Sequence, residues 1–73
     1  MVLRVLQAAR EEAGLTQEQL ALRLGETQSF VSKVERGERR LDIVELRHIG
    51  RALGLTLLEL AERIERLLSA RTQ

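Results

Sequence analysis

Between residues 14 and 37 the chain reads GLTQEQLALRLGETQSFVSKVERG, and this stretch carries two helix starts and two helix stops with almost no spare sequence between them. Gly14 is placed to end a preceding helix, because a residue without Cβ enters the left-handed conformation at little cost. Thr16 then caps a new helix. Gln19 completes a capping box with it, and Leu15 and Leu20 stand where a hydrophobic staple closes around the start. Leu20, Ala21 and Leu24 fall on one side and form a buried stripe, with the small Ala21 allowing a neighbouring helix to approach closely. Gly25 stops this helix, and only Glu26 separates it from the next cap, Thr27. So short a Gly-containing connection excludes parallel packing and makes the two helices cross.

The second helix of the pair has two unlike faces. Val31 and Val34 point inward with Phe30 at their edge, while Gln28, Ser29, Ser32, Lys33 and Arg36 share the opposite face, which carries no acid. These side chains suit the edges of base pairs. Gln pairs its amide with adenine N6 and N7, Lys donates to guanine O6 or N7, and Ser serves either role, each good pair giving about 1–3 kcal/mol of discrimination. Residues at the N-terminus of such a helix meet the bases first. Gln17 and Thr27, at the two helix starts, are placed to offer donors to phosphate with the helix dipole behind them.

TQEQLALRLG followed by TQSFVSKVERGER resembles the Cro/cI-type helix-turn-helix family, the lambda-repressor-like DNA-binding domains. Ala21, Gly25, Leu20, Leu24, Val31 and Val34 stand at the family's spacing, and with the flanking helices the resemblance covers residues 6 to 60, with the helix-turn-helix unit at 16–37. It implies sequence-specific binding to double-stranded DNA, as a homodimer, for transcriptional control. It also implies an internal ion pair between Arg10 and Glu35 that ties the first helix to the third. The loop Glu38-Arg39-Arg40-Leu41 departs from the pattern in lacking a proline.

Composition sets bounds rather than identity. Seventy-three residues make one domain, and a chain of this size buries only about 60% of its unfolded surface, so a second copy would add needed stability. The absence of Cys removes disulfides, thiolate metal sites and thiol nucleophiles, and suits a reducing cytoplasm. The net charge of +1 names no partner, but its distribution is uneven: residues 27–51 hold 6 Lys and Arg against 4 Asp and Glu, the only segment with a clear basic excess. Arg36, Arg39 and Arg40, with Lys33, are therefore expected to form one end of a phosphate-binding strip. No apolar run approaches the ~20 residues of a membrane span, and MVLRVLQAAREEAG has too many acids for a signal peptide.

Taken in order, the pattern predicts an all-α, compact five-helix domain. Val2, Leu3, Val5, Leu6, Ala9 and Ala13 give residues 2 to 13 a broad apolar face; Glu11 and Glu12 argue against a helix lying on an anionic membrane. Asp42 and Glu45 form the capping box of a fourth helix, with Ile43, Leu46, Ile49, Gly50 and Leu53 on its inner side. Gly50 in mid-helix predicts a close helix crossing. Gly54-Leu55-Thr56 repeats the Gly14-Leu15-Thr16 device before a fifth helix carrying Leu57, Leu60, Ala61, Ile64, Leu67 and Leu68. That stripe runs past the needs of one domain into residues 61–73. Leu58, Ile64, Leu67 and Leu68 are the expected dimer contact, against the alternative that they fold back on the first helix.

No enzymatic constellation is present. His48, the only histidine, stands beside Arg47 on the outer side of the fourth helix, and Glu11 and Glu12 diverge by about 100° on theirs. No metal, cofactor or small-molecule ligand is expected. A helical protein-interaction module, such as an antitoxin subunit, is the competing reading, but such a surface carries exposed aromatic residues or leucines where this chain has Gln28, Ser29, Ser32 and Lys33.

Overall fold

The computed structural model describes residues 2–71, with side chains from 4 to 70. Five helices follow in order: α1 (Val2–Glu12), α2 (Gln17–Leu24), α3 (Gln28–Glu35), α4 (Ile43–Ala52) and α5 (Leu57–Arg71). Their starts are set by side-chain to backbone bonds within one turn. Thr16 and Gln19 complete the box that opens α2, Asp42 and Glu45 the one that opens α4, and Thr56 and Glu59 bond reciprocally ahead of α5. Gly25, with φ of 69°, ends α2 in the left-handed conformation and leaves just Glu26 before the Thr27 cap of α3. α2 and α3 pack against each other across this turn.

The core lies where the helices converge. Val5, Leu6 and Ala9 of α1 meet Leu20, Ala21 and Leu24 of α2 and Val31 and Val34 of α3, with Ile49, Leu53 and Leu60 closing the far side. Leu60 is the most completely enclosed, with none of its surface exposed. It sits against Gly50: a Cβ added there would lie 3.2 Å from Leu60 Cδ2 and 3.4 Å from the Leu55 carbonyl oxygen. The mid-helix glycine thus lets α5 press directly on the α4 backbone. Two surface links reinforce the frame, Arg63 to Glu12 at 3.1 Å between α5 and α1, and Arg23 to the Ala52 carbonyl at 3.1 Å between α2 and α4.

The apolar stripes are narrower than their sequence periods. Ile43, expected on the inner side of α4, is 66% exposed, and Val44 is exposed beside it. Side chains on a helix tilt toward its N-terminus, so residues of the first turn lean out beyond the core, and burial begins only around Leu46. Ala13 lies past the end of α1 and is exposed, and Ala61 faces solvent on α5. Val2 and Leu3 lie outside the described side chains. No helix among the described residues is long and apolar enough to cross a membrane.

Replacing a mid-helix glycine by alanine ordinarily raises helix stability by about 1 kcal/mol. Here Gly50→Ala should lower stability by about 1–3 kcal/mol, since the new methyl group meets an enclosed leucine. Thermal unfolding reads the sign, and a higher melting temperature would contradict the close crossing.

Candidate nucleic-acid interface

The outer face of α3 presents Gln28, Ser29, Lys33 and Arg36 to solvent, with Ser32 half-buried among them. Thr27 Oγ1 accepts from the Phe30 N–H at 3.1 Å, which fixes the N-terminus of the helix. Val31 and Val34 anchor its inner face and are 2% and 5% exposed, so α3 is held like a blade with its polar edge outward.

A chain of polar contacts beneath this face starts in the interior. Arg10 and Glu35 form a forked pair, Nε to Oε2 at 2.6 Å and Nη2 to Oε1 at 3.1 Å, with side chains only 11% and 6% exposed. The Glu35 hydrogen bond raises the Arg10 guanidinium above its ordinary pKa, outweighing burial, which lowers it. Arg10 Nη1 also donates to the Leu15 carbonyl at 2.8 Å, securing the turn into α2. Gln17 Nε2 donates to Glu35 Oε1 at 2.9 Å, and Gln28 Nε2 donates to Gln17 Oε1 at 2.7 Å. Four side chains from three helices thus form one relay that surfaces at the first residue of α3.

The relay adds to the expected role of Gln17: its half-buried side chain gives one amide proton to Glu35 and its oxygen to Gln28, and keeps its second amide proton. Gln28 keeps its oxygen and its second amide proton free, one acceptor and one donor, the pair that adenine N6 and N7 require. No buried polar side-chain atom among the described residues lacks a partner.

The basic strip also differs from its sequence reading. Arg39 is not free: its Nη2 lies 2.6 Å from Glu45 Oε2, and its guanidinium carbon stands 4.9 Å above the centre of the Phe30 ring. Arg36 pairs with Glu38 at 3.3 Å, both well exposed. Lys33 and Arg40 have no side-chain partner among the described residues. Acids supplied by the loop itself and by α4 thus neutralise half of the strip.

On α5 the four expected dimer residues divide. Leu58 is 70% exposed and Leu68 is partly so, whereas Ile64 and Leu67 pack against the core and α1, the fold-back alternative. His48 is exposed, with Nε2 3.4 Å from the Leu24 carbonyl. Among the described residues no group of three or more His, Asp or Glu could hold a metal ion. The relay through Gln17 and the Phe30–Arg39–Glu45 stack were not foreseen; the one available signal was that Phe30 is the sole aromatic residue in the chain.

Comparison with known proteins places this geometry. A helix-turn-helix family model matches residues 6–60. The chain is 41% identical over 51 residues to the HTH-type transcriptional regulator y4dJ of Sinorhizobium fredii, a match spanning 70% of this chain and 66% of that protein's length. An XRE-family like protein from Pseudomonas syringae superposes with a TM-score of 0.82 at 45% identity, covering 90% of this chain and 80% of the other. The restriction-modification controller protein C.AhdI from Aeromonas hydrophila superposes with a TM-score of 0.74 at 36% identity, covering 81% and 89%.

Glu35→Ala strands the Arg10 charge and should destabilise the fold by about 3–5 kcal/mol. A negligible change in denaturant midpoint would show that the pair carries no weight.

Proposed function

The chain belongs to the XRE-type helix-turn-helix family, and we propose that it is a transcriptional regulator that binds a specific double-stranded DNA sequence as a homodimer. The observation that carries this reading is the outer face of α3, where Gln28 is held by the relay with one donor and one acceptor free, beside Ser29, Ser32 and Lys33 and with no acid among them. A face built this way has the hydrogen-bonding pattern of base edges and lacks the apolar anchors of a protein contact.

In this reading α3 enters the major groove with Gln28, Ser29, Ser32 and Lys33 at the bases, while the backbone at the start of α2, Thr27, Arg36 and Arg40 hold phosphates and set register. Arg36 exchanges its exposed partner Glu38 for phosphate on binding. Of the four α5 residues expected at a dimer contact, Leu58 and Leu68 stay exposed for a second copy, and a two-fold pair would set two α3 helices about 34 Å apart, one helical turn of DNA. Regulation works by occupancy of a palindromic operator, at which the protein blocks polymerase or, at some promoters, assists it. The likeness to the controller protein C.AhdI favours control of a restriction-modification operon over a phage or antitoxin circuit. The site of action is the cytoplasm, on the chromosome or a plasmid.

Selection of bound duplexes from a random library at about 0.15 M salt tests the reading, because phosphate attraction alone is weak there. A palindromic consensus is expected; salt-sensitive binding with no enriched sequence would contradict it. On the selected duplex, Gln28→Ala should lose about 1–3 kcal/mol of discrimination at the base pair it reads and leave the other positions intact.

A further inference from the structure

The cations around α3 are not equivalent. Among the described residues Lys33 and Arg40 have no side-chain partner, and Arg36 shares an exposed contact with a near neighbour in sequence, but Arg39 is held from three sides. Its Nη2 donates to Glu45 Oε2 at 2.6 Å, its Nη1 to the Arg40 carbonyl at 3.3 Å, and its guanidinium carbon stands over the Phe30 ring. We propose that Arg39 does not touch the duplex but positions the residue that does: it latches the loop 36–42 to the first turn of α3 and to the cap of α4, and so places Arg40 at a phosphate. This inference rests on the DNA-binding reading above and deepens it.

The parts fit that role. Phe30 is half-buried three residues after the Thr27 cap, so it is fixed to α3 and offers the loop a rigid apolar face. Glu45 divides its carboxylate: Oε1 accepts the Asp42 backbone N–H at 3.0 Å, and Oε2 takes Arg39. A planar guanidinium can stack on a ring while its edge donates to a carboxylate and a carbonyl, a combination that lysine cannot reproduce. The loop itself has no proline to stiffen it and contains Gly37. One side chain therefore gathers the start of α3, the cap of α4 and the carbonyl of the residue whose own side chain is free. A phosphate at Arg39 would share the guanidinium with the Glu45 carboxylate, a like charge held 2.6 Å away, whereas Arg36 contacts only the more exposed Glu38.

The two roles give opposite signs for one substitution. Glu45→Gln keeps a side-chain oxygen for the Asp42 N–H, so the capping box of α4 survives, but it removes the anion that holds Arg39. If Arg39 contacted phosphate, losing that competing carboxylate would tighten binding. As a latch, Arg39 loses its anchor and the affinity for the selected duplex should fall about threefold to tenfold. Tighter or unchanged binding overturns the proposal.

The salt dependence gives a second readout that a general loss of structure does not mimic. Arg40→Ala should lower the slope of log affinity against log salt by about 1, and adding Arg39→Ala should lower it no further, because Arg39 acts through Arg40. A further drop of about 1 overturns the latch. Should Arg39→Ala prove poorly folded in a melting scan, Phe30→Leu removes the ring beneath Arg39 while keeping an apolar side chain against the core, and should weaken binding in the same direction as Glu45→Gln. Wild-type protein that enriches no duplex at all overturns the DNA-binding reading itself, and the latch with it. A wild type that binds specifically while Glu45→Gln binds tighter overturns the latch alone.

Discussion

The Arg10–Glu35 pair is the interaction on which the geometry of the outer α3 face depends. It joins α1 to α3 across 25 positions of sequence, with both side chains withdrawn from solvent. Buried charges of this kind contribute less to net stability than to a unique arrangement, since desolvation offsets much of their attraction. Here the arrangement has a definite consequence. A carboxylate only accepts hydrogen bonds, so Gln17 must turn its amide nitrogen toward Glu35 and its oxygen outward. That oxygen in turn obliges Gln28 to offer a nitrogen, which leaves the Gln28 oxygen and one proton facing solvent. The orientation of an exposed amide, which packing alone leaves open, is settled by a charge in the interior.

The apolar frame makes this possible by fixing α3 and little else. The enclosed residues are mostly single valines, leucines and alanines at helix crossings, and Leu60 in the notch at Gly50 brings the last two helices together. Beyond them the surface is held by polar links between helices, Arg63 to Glu12 and Arg23 to the Ala52 carbonyl. With so small a core, polar contacts carry a large share of the geometry. That holds above all at the loop 36–42, where Leu41 is the only apolar side chain packed on the core.

The helix starts were legible in the sequence because a capping box is a bond between residues three apart, and nothing distant can change it. The inner residues of α2 and α3 were legible for the same reason, since Leu20, Leu24, Val31 and Val34 repeat at helical spacing. Periodicity tells which side of a helix a residue is on, but not how far along that helix the core extends. Ile43 shows this at the start of α4, and Ile64 and Leu67 show the converse on α5, half-buried against the core where a dimer contact was expected to need them exposed. Polar partners across helices were less legible still. The Arg10–Glu35 pair came from family resemblance rather than from spacing, and neither Gln17 with Gln28 nor Arg39 with Glu45 could be paired before the helices had been placed.

The most direct test of this account is the base-preference profile of Glu35→Gln, measured by the same duplex selection as wild type. A glutamine at 35 can still accept from Arg10 but can also donate, so it no longer dictates which way Gln17 and Gln28 face. If Gln28 is the reader proposed, preference should relax at a single base pair, although residue 35 lies beneath the α3 face, with the rest of the consensus retained. A folded Glu35→Gln protein with the wild-type profile would contradict it, and would place the control of Gln28 on the surface rather than in the buried pair.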